Sequence, residues 1–280
     1  MSRSSRHILP TLRQALSGRY RVEREIGCGG MATVFLAQAL DERRQVAIKV
    51  LRPEVACFLG PDRFHREIEI LRRLRHSRIV PVLDSNEAGE LLYLVMPYVA
   101  GENLRARLDR ESQLPLPAVL SIARDVATAI DHAHGENVLH RDIKPENVLL
   151  EEGRALVCDF GLARAIVRSA LDPLSSTGLV IGTPAYMSPE QAMADAALGP
   201  GCDIYALGCV LYEMLTGELP FTGPNSQAVI ARHLSDPPRS MRAVRPDLPA
   251  RVEDAVLAAL AKTPAERPGS GAELLRRLGA

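Results

Sequence analysis

From residue 20 onward the apolar positions fall in short β-branched runs at 20–27, 32–39, 45–51, 79–84 and 91–96, with one helical stretch at about 62–75. The pattern predicts a small sheet with one main helix. In the run Val46-Ala47-Ile48-Lys49-Val50-Leu51, strand alternation sets Val46, Ile48 and Val50 on one face and Ala47, Lys49 and Leu51 on the other. In the helical stretch, Phe64, Ile68 and Leu71 form an i, i+4, i+7 stripe with Glu67 on it. Beyond Gly101 the period lengthens. Val119, Ile122, Ala123, Val126, Ala129, Ile130 and Ala133 recur at helical spacing, and further helices are predicted near 203–216, 226–234, 250–262 and 270–278. Residues 204–215 are apolar on nearly every face, as a helix in the middle of a larger domain would be. Between the two patterns, Pro97-Tyr98-Val99-Ala100-Gly101 carries the punctuation of a connector, and a cleft between two lobes is the expected ligand site. Residues 1–18 are rich in Ser and Arg and weakly patterned, and are predicted to be a frayed lead-in or short helix outside the core.

Composition narrows the partners more than the fold. Lys plus Arg and Asp plus Glu both total 34, so the chain lacks the net field that draws in nucleic acid or anionic lipid. Five scattered cysteines show neither zinc-site spacing nor a disulfide framework, which predicts reduced thiols in a cytoplasmic setting. No apolar run reaches the roughly 18–20 residues that cross a bilayer, and the start lacks the apolar block of a secretory signal.

Three stretches carry chemistry. Gly27-Cys28-Gly29-Gly30-Met31-Ala32-Thr33-Val34 lies between two predicted strands, where missing side chains let backbone N–H groups approach phosphate oxygens; a plain hairpin is the alternative. A Rossmann turn is excluded because a strand, not a helix, follows. Lys49 shares a face with apolar residues, and either snorkels to water or meets an acid. Glu67 is a candidate for that acid, since an unpaired buried carboxylate costs several kcal/mol; a place at the rim of the stripe is the alternative. The third stretch is the strongest: His140-Arg141-Asp142-Ile143-Lys144-Pro145-Glu146-Asn147, then one short hairpin, then Asp159-Phe160-Gly161. A carboxylate there can accept a hydroxyl proton, an amide oxygen and a second carboxylate can hold magnesium, and Lys144 can offset charge on a moving phosphoryl group.

With these motifs the chain resembles the eukaryotic-like (Hanks-type) serine/threonine protein kinases, and more closely their bacterial members, over about residues 20–278. The resemblance implies an α+β, bilobal protein-kinase-like fold with a small β-rich N-lobe carrying one main helix and a larger, mainly helical C-lobe. Its expected boundaries are a lead-in at 1–18 and a catalytic domain at 19–280, with N-lobe 19–96, hinge 97–101 and C-lobe 102–280. It implies ATP and Mg2+ as cofactors. Gly27, Gly29 and Ala32 would cover the phosphates, Ala32 standing where the family usually has a third glycine. Lys49 would contact phosphates with Glu67 orienting it, and Val34, Ala47 and Leu149 would sandwich the adenine. Met96 would be the gatekeeper, Pro97 and Val99 the hinge, Asp142 the base, and Asn147 and Asp159 the metal ligands. In 182–190 the family's substrate-docking loop ends in Ser188-Pro189-Glu190, and Thr183 with Lys144 marks serine and threonine acceptors. Asp203 would anchor the catalytic loop, Arg267 would pair with Glu190, and Arg141 would bind a phosphorylated loop residue, with Thr177 the first choice. Protein substrates, autophosphorylation through self-association, no nucleic acid and no membrane segment complete the expectation. A scaffold that has lost catalysis and a small-molecule phosphotransferase are the rival classes. All five catalytic positions, and the 161–183 stretch ahead of Pro189-Glu190, weigh against them.

Overall fold

The computed structural model describes residues 5–160, 184–195 and 197–280. The chain divides into two compact units, one holding 5–75 and 80–100 and the other 76–79 with the described residues from 101 onward.

The first unit is built on an antiparallel five-stranded sheet in the order β1-β2-β3-β5-β4. Its strands are β1 (Tyr20–Cys28), β2 (Ala32–Ala39), β3 (Gln45–Leu51), β4 (Asp84–Ala88) and β5 (Leu91–Pro97). Between β3 and β4 come two helices, each opened by a proline whose missing N–H is not needed there: α2 (Pro53–Leu59) and α3 (Pro61–Leu71). The stripe Phe64, Ile68 and Leu71 is buried as its spacing predicted.

Two expectations fail here. The strand expected at 79–84 begins only at Asp84, while Ile79 makes a single parallel bridge to Val157. Pro81 explains the shift, since it has no N–H to give a ladder. The second failure concerns the N-terminus. Residues Ser5–Leu16 form a helix, α1, whose Ile8, Leu9, Leu12 and Leu16 are buried in one cluster with Phe35, Val46, Ile48, Val50, Tyr93 and Val95 of the sheet. Four buried aliphatic side chains contribute about 6–12 kcal/mol before the cost of ordering the helix. Arg13 tightens the contact, its Nε and Nη2 donating to the carbonyls of Val22 and Glu23 at 3.0 and 2.6 Å. The lead-in is therefore part of the core.

The second unit is mainly helical. It contains a three-stranded sheet of β6 (Glu102–Asn103), β7 (Val148–Glu151) and β8 (Arg154–Val157), and helices α4 (Leu104–Glu111), α5 (Leu116–Gly135), α6 (Pro189–Ala192), α7 (Gly201–Thr216), α8 (Ser226–Ser235), α9 (Ala250–Ala259) and α10 (Gly271–Leu278). Every residue of α7 from 202 to 216 is buried, which is why its sequence shows no polar face. Gly208 lets α9 approach: a Cβ there would meet the Ala259 Cβ at 3.0 Å.

Candidate active site

In the first unit, register places the expected nucleotide residues on one sheet face. Gly27 pairs with Val34, Val34 with Lys49, and Lys49 with Leu94, so these four form one transverse row. Ala47, two residues from Lys49, shares that face and pairs with Met96. The opposite face of β3, with Val46, Ile48 and Val50, is the one α1 covers. At the turn, the Gly29 amide donates to the Ala32 carbonyl at 2.9 Å. Neither Gly27, Gly29 nor Gly30 has a positive φ, and no heavy atom lies within 3.4 Å of a Cβ built on any of them. The fold itself does not require glycine there. At the end of β5, Val99 is half-buried, yet among the described residues neither its amide nor its carbonyl is hydrogen-bonded.

Glu67 takes the rim alternative. It is half-buried on α3, and among the described residues no ion pair joins it to Lys49 and no hydrogen bond reaches its side chain. Periodicity fixed its face of the helix and left its reach toward β3 open.

In the second unit the catalytic-loop motif is held by buried hydrogen bonds. His140 is fully buried; its Nε2 donates to the Cys158 carbonyl at 2.8 Å and its Nδ1 accepts the Asp142 amide at 3.2 Å, which sets its neutral tautomer. Asp203, in the first turn of α7, accepts the His140 and Arg141 amides at 2.9 and 2.7 Å and His134 Nε2 at 2.7 Å. Burial pushes its carboxyl upward, but the hydrogen bond and charge of His134, with the Arg141 amide, outweigh that and hold it below the usual carboxylate value. Arg141 itself is held at φ 68°. This loop presents Asp142, whose Oδ2 accepts Lys144 Nζ at 2.7 Å and Asn147 Nδ2 at 3.2 Å.

The hairpin of β7 and β8 then does the spatial work. Its register pairs Val148 with Val157, so Asn147 and Cys158 stand side by side at its open end, and the Cys158 amide donates to the Asn147 carbonyl at 3.0 Å. Asp159 follows directly, in the left-handed region at φ 67°, a costly conformation for a residue other than glycine. Asn147 Nδ2 is spent on the Asp142 carbonyl and carboxylate, which leaves Oδ1 as its acceptor. An amide oxygen beside a carboxylate is a hard-oxygen donor set of the kind Mg2+ takes. Among the described residues no cluster of three or more His, Cys, Asp or Glu could hold a metal by itself. Leu149 lies on β7, half-buried.

Downstream, Glu190 and Arg267 form a buried bidentate pair at 2.7 and 2.8 Å. Gly161, Thr177 and Thr183 lie outside the described residues. Several anchoring groups carried no motif. Asp125 of α5 bridges Arg78 Nε at 2.8 Å and the Ala155 amide at 2.8 Å, and Glu213 binds Arg105 Nη1 and the Tyr186 hydroxyl, both at 2.6 Å. An acid at an otherwise apolar helical position, as in Asp125 and Glu213, was the available signal.

The model of the protein kinase domain family matches residues 20–276, and the chain belongs to that family. It is 40% identical over 267 residues to the serine/threonine-protein kinase PknB of Mycobacterium tuberculosis, covering 92% of this chain and 42% of that protein. It is 40% identical over 256 residues to PrkC of Bacillus subtilis (90% and 39%), and 39% identical over 270 residues to pkn3 of Myxococcus xanthus (92% and 49%). The chain thus spans less than half the length of these relatives. Among the described residues no helix is long and apolar enough to cross a membrane.

Proposed function

We propose that this chain transfers the γ-phosphoryl group of ATP to serine or threonine hydroxyls of proteins, its own Thr177 among them. The observation that carries the reading is the Asp142 carboxylate. Its Oδ2 is occupied by Lys144 and Asn147, while Oδ1 has no hydrogen bond among the described residues and is available to an acceptor hydroxyl. In this reading Asp142 Oδ1 orients the hydroxyl and takes its proton as the oxygen attacks the γ-phosphorus and the bond to the β-phosphate oxygen breaks. Lys144 offsets charge on the moving group. Asn147 Oδ1 and the Asp159 carboxylate would hold Mg2+, which supplies charge neutralisation at the phosphates. Within the first unit, Lys49 would hold phosphates, Val34, Ala47 and Met96 the base, and the unbonded Val99 backbone its polar edge. Glycines at 27 and 29 that the backbone does not need support close approach of phosphate over a plain hairpin.

The test is transfer of labelled phosphate to a basic model protein by the native chain and by Asp142→Asn. The substitution is expected to lower transfer by roughly 10²–10⁴-fold while nucleotide binding survives. Equal rates in the two proteins would contradict the role assigned to Asp142.

A further inference from the structure

Segment 76–79 belongs with the second unit although the chain on both sides of it belongs to the first. A short set of contacts holds it there. The Arg78 carbonyl accepts the Val157 amide at 2.8 Å, Ile79 makes its parallel bridge to Val157, and Arg78 Nε meets Asp125 of α5 at 2.8 Å. The remaining contact is between two imidazoles: the His76 ring stacks on His132 of α5, with centroids 5.0 Å apart and planes inclined by 20°. Val157 closes β8 and lies opposite Val148, so the segment borders the hairpin end that presents Asn147 and Asp159.

Both rings are set for the neutral form. His76 Nδ1 accepts the Arg78 amide at 3.2 Å, so its one proton sits on Nε2. A second proton would fall on Nδ1 and turn that acceptor into a donor facing a donor. His132 is half-buried, and its Nε2 is shut off from water with no hydrogen-bond partner among the described residues. A charged ring there would hold a buried N–H that nothing answers. Among the described residues no carboxylate pairs with either ring. The two acids of α5 are committed: Asp125 to Arg78 and the Ala155 amide, Asp131 to the Gly271 and Ala272 amides at 2.6 and 2.8 Å. Glu136, just past the helix, is exposed. Of the elements packed on α5, β8 brings Arg154, held by Glu152, and α7 brings Asp203, held by His134, and Glu213, held by Arg105. From α10 come Glu273 and Arg277, paired with each other, and Arg276. Burial first, then His132 and Arg78, lower His76 below its usual value.

We propose that the stacked imidazoles of His76 and His132 are an acid-sensitive latch: while both are neutral they keep segment 76–79 on α5, and a proton on either ring releases the segment from Val157 and loosens the hairpin end that carries Asn147 and Asp159. Its effect on catalysis rests on the kinase reading above; the latch itself does not. The test is NMR hydrogen exchange of the Val157 amide at pH about 7.5 and about 5, as a protection factor relative to the α7 amides, which report global opening. One lost hydrogen bond corresponds to about a five-fold effect. In the native chain, Val157 protection is present above the usual histidine value and falls about five-fold as pH drops through the lowered one. The double variant His76→Asn with His132→Phe keeps an acceptor for the Arg78 amide and a ring for the stack but has nothing to protonate, so its protection stays level. Each single substitution falls part of the way and serves if the double variant does not fold. Native protection that is the same at both pH values, or a fall that the substituted chains share in full, overturns the proposal. The second measurement is phosphoryl transfer to a basic model protein: the native KM for Mg-ATP equals that of the double variant at the higher pH and exceeds it about five-fold at the lower. Equal constants at both pH values overturn the coupling to the hairpin end. A native chain that transfers nothing overturns the kinase reading instead, and the exchange result still decides the latch.

Discussion

Arg267→Met removes a fully buried charge whose every donor is paired. The five N–H donors of Arg267 all have acceptors: Nε gives to the Ala261 carbonyl at 2.8 Å, Nη1 to Glu190 Oε1 and the Gly201 carbonyl at 2.7 and 2.8 Å, and Nη2 to Glu190 Oε2 and the Lys262 carbonyl at 2.8 and 3.0 Å. Its side chain has no exposed surface and that of Glu190 is only 8% exposed, so water cannot replace the lost partner. Breaking a buried pair from one side costs about 3–5 kcal/mol, because the other charge is left uncompensated. For a unit of this size that corresponds to a fall in melting temperature of about 6–20 °C. The pH dependence is the sharper part. In the native chain burial raises the Glu190 carboxyl, but the Arg267 hydrogen bonds outweigh it and hold it below its usual value. Its contribution is therefore present above the ordinary carboxylate range and lost only as pH falls through the lowered value. Without Arg267 the buried carboxyl moves upward, protonates early and sheds its penalty, so the gap between variant and native chain narrows as pH falls from 7 toward 5. Urea unfolding at several pH values reads both effects. A loss under about 1 kcal/mol, the size of an exposed pair, or a gap that does not change with pH, refutes the reasoning.

Leu12→Ala should destabilise the first unit by about 2–5 kcal/mol in urea unfolding, the cost of a cavity at a fully buried leucine; a change typical of an exposed site would show that α1 does not belong to the core. Asp159→Asn should weaken Mg2+-dependent ATP binding in calorimetry while leaving metal-free nucleotide binding alone, and equal affinities with and without the substitution would remove Asp159 from the ligand set. The neutral His233, lowered from 6.5 to about 4, contributes stability that is present above 6.5 and lost as pH falls toward 4, worth up to about 3 kcal/mol. His233→Phe should flatten that part of the pH–stability curve, and an unchanged slope would place the acid sensitivity elsewhere.

What could be read from the sequence was whatever local spacing determines. Asp142, Asn147 and Asp159 are linked by one short hairpin, so their grouping needed no knowledge of distant packing. The core stripe of α3 and the all-round burial of α7 also follow from period alone. Positions decided by tertiary contact were not legible. β4, Asp84-Ser85-Asn86-Glu87-Ala88, has almost no strand propensity and exists because it pairs with β5 at the edge of the sheet. The stripe 8, 9, 12 and 16 of α1 is helical in spacing, but surrounding arginines gave it the look of a solvated segment. Glu67 and His233 show the same limit from opposite sides: the former had a partner in expectation and none in the described fold, the latter has a cage of Tyr205, Phe221 and Lys262 that no motif announced.

The packing of α1 also bears on where this polypeptide can be trimmed. The family match begins at residue 20, yet cutting there would strip the cover from Phe35, Ile48 and Val95 and turn a dry interior into an adhesive surface. A protein shortened to its family limits would carry its catalytic machinery intact and still come out of solution.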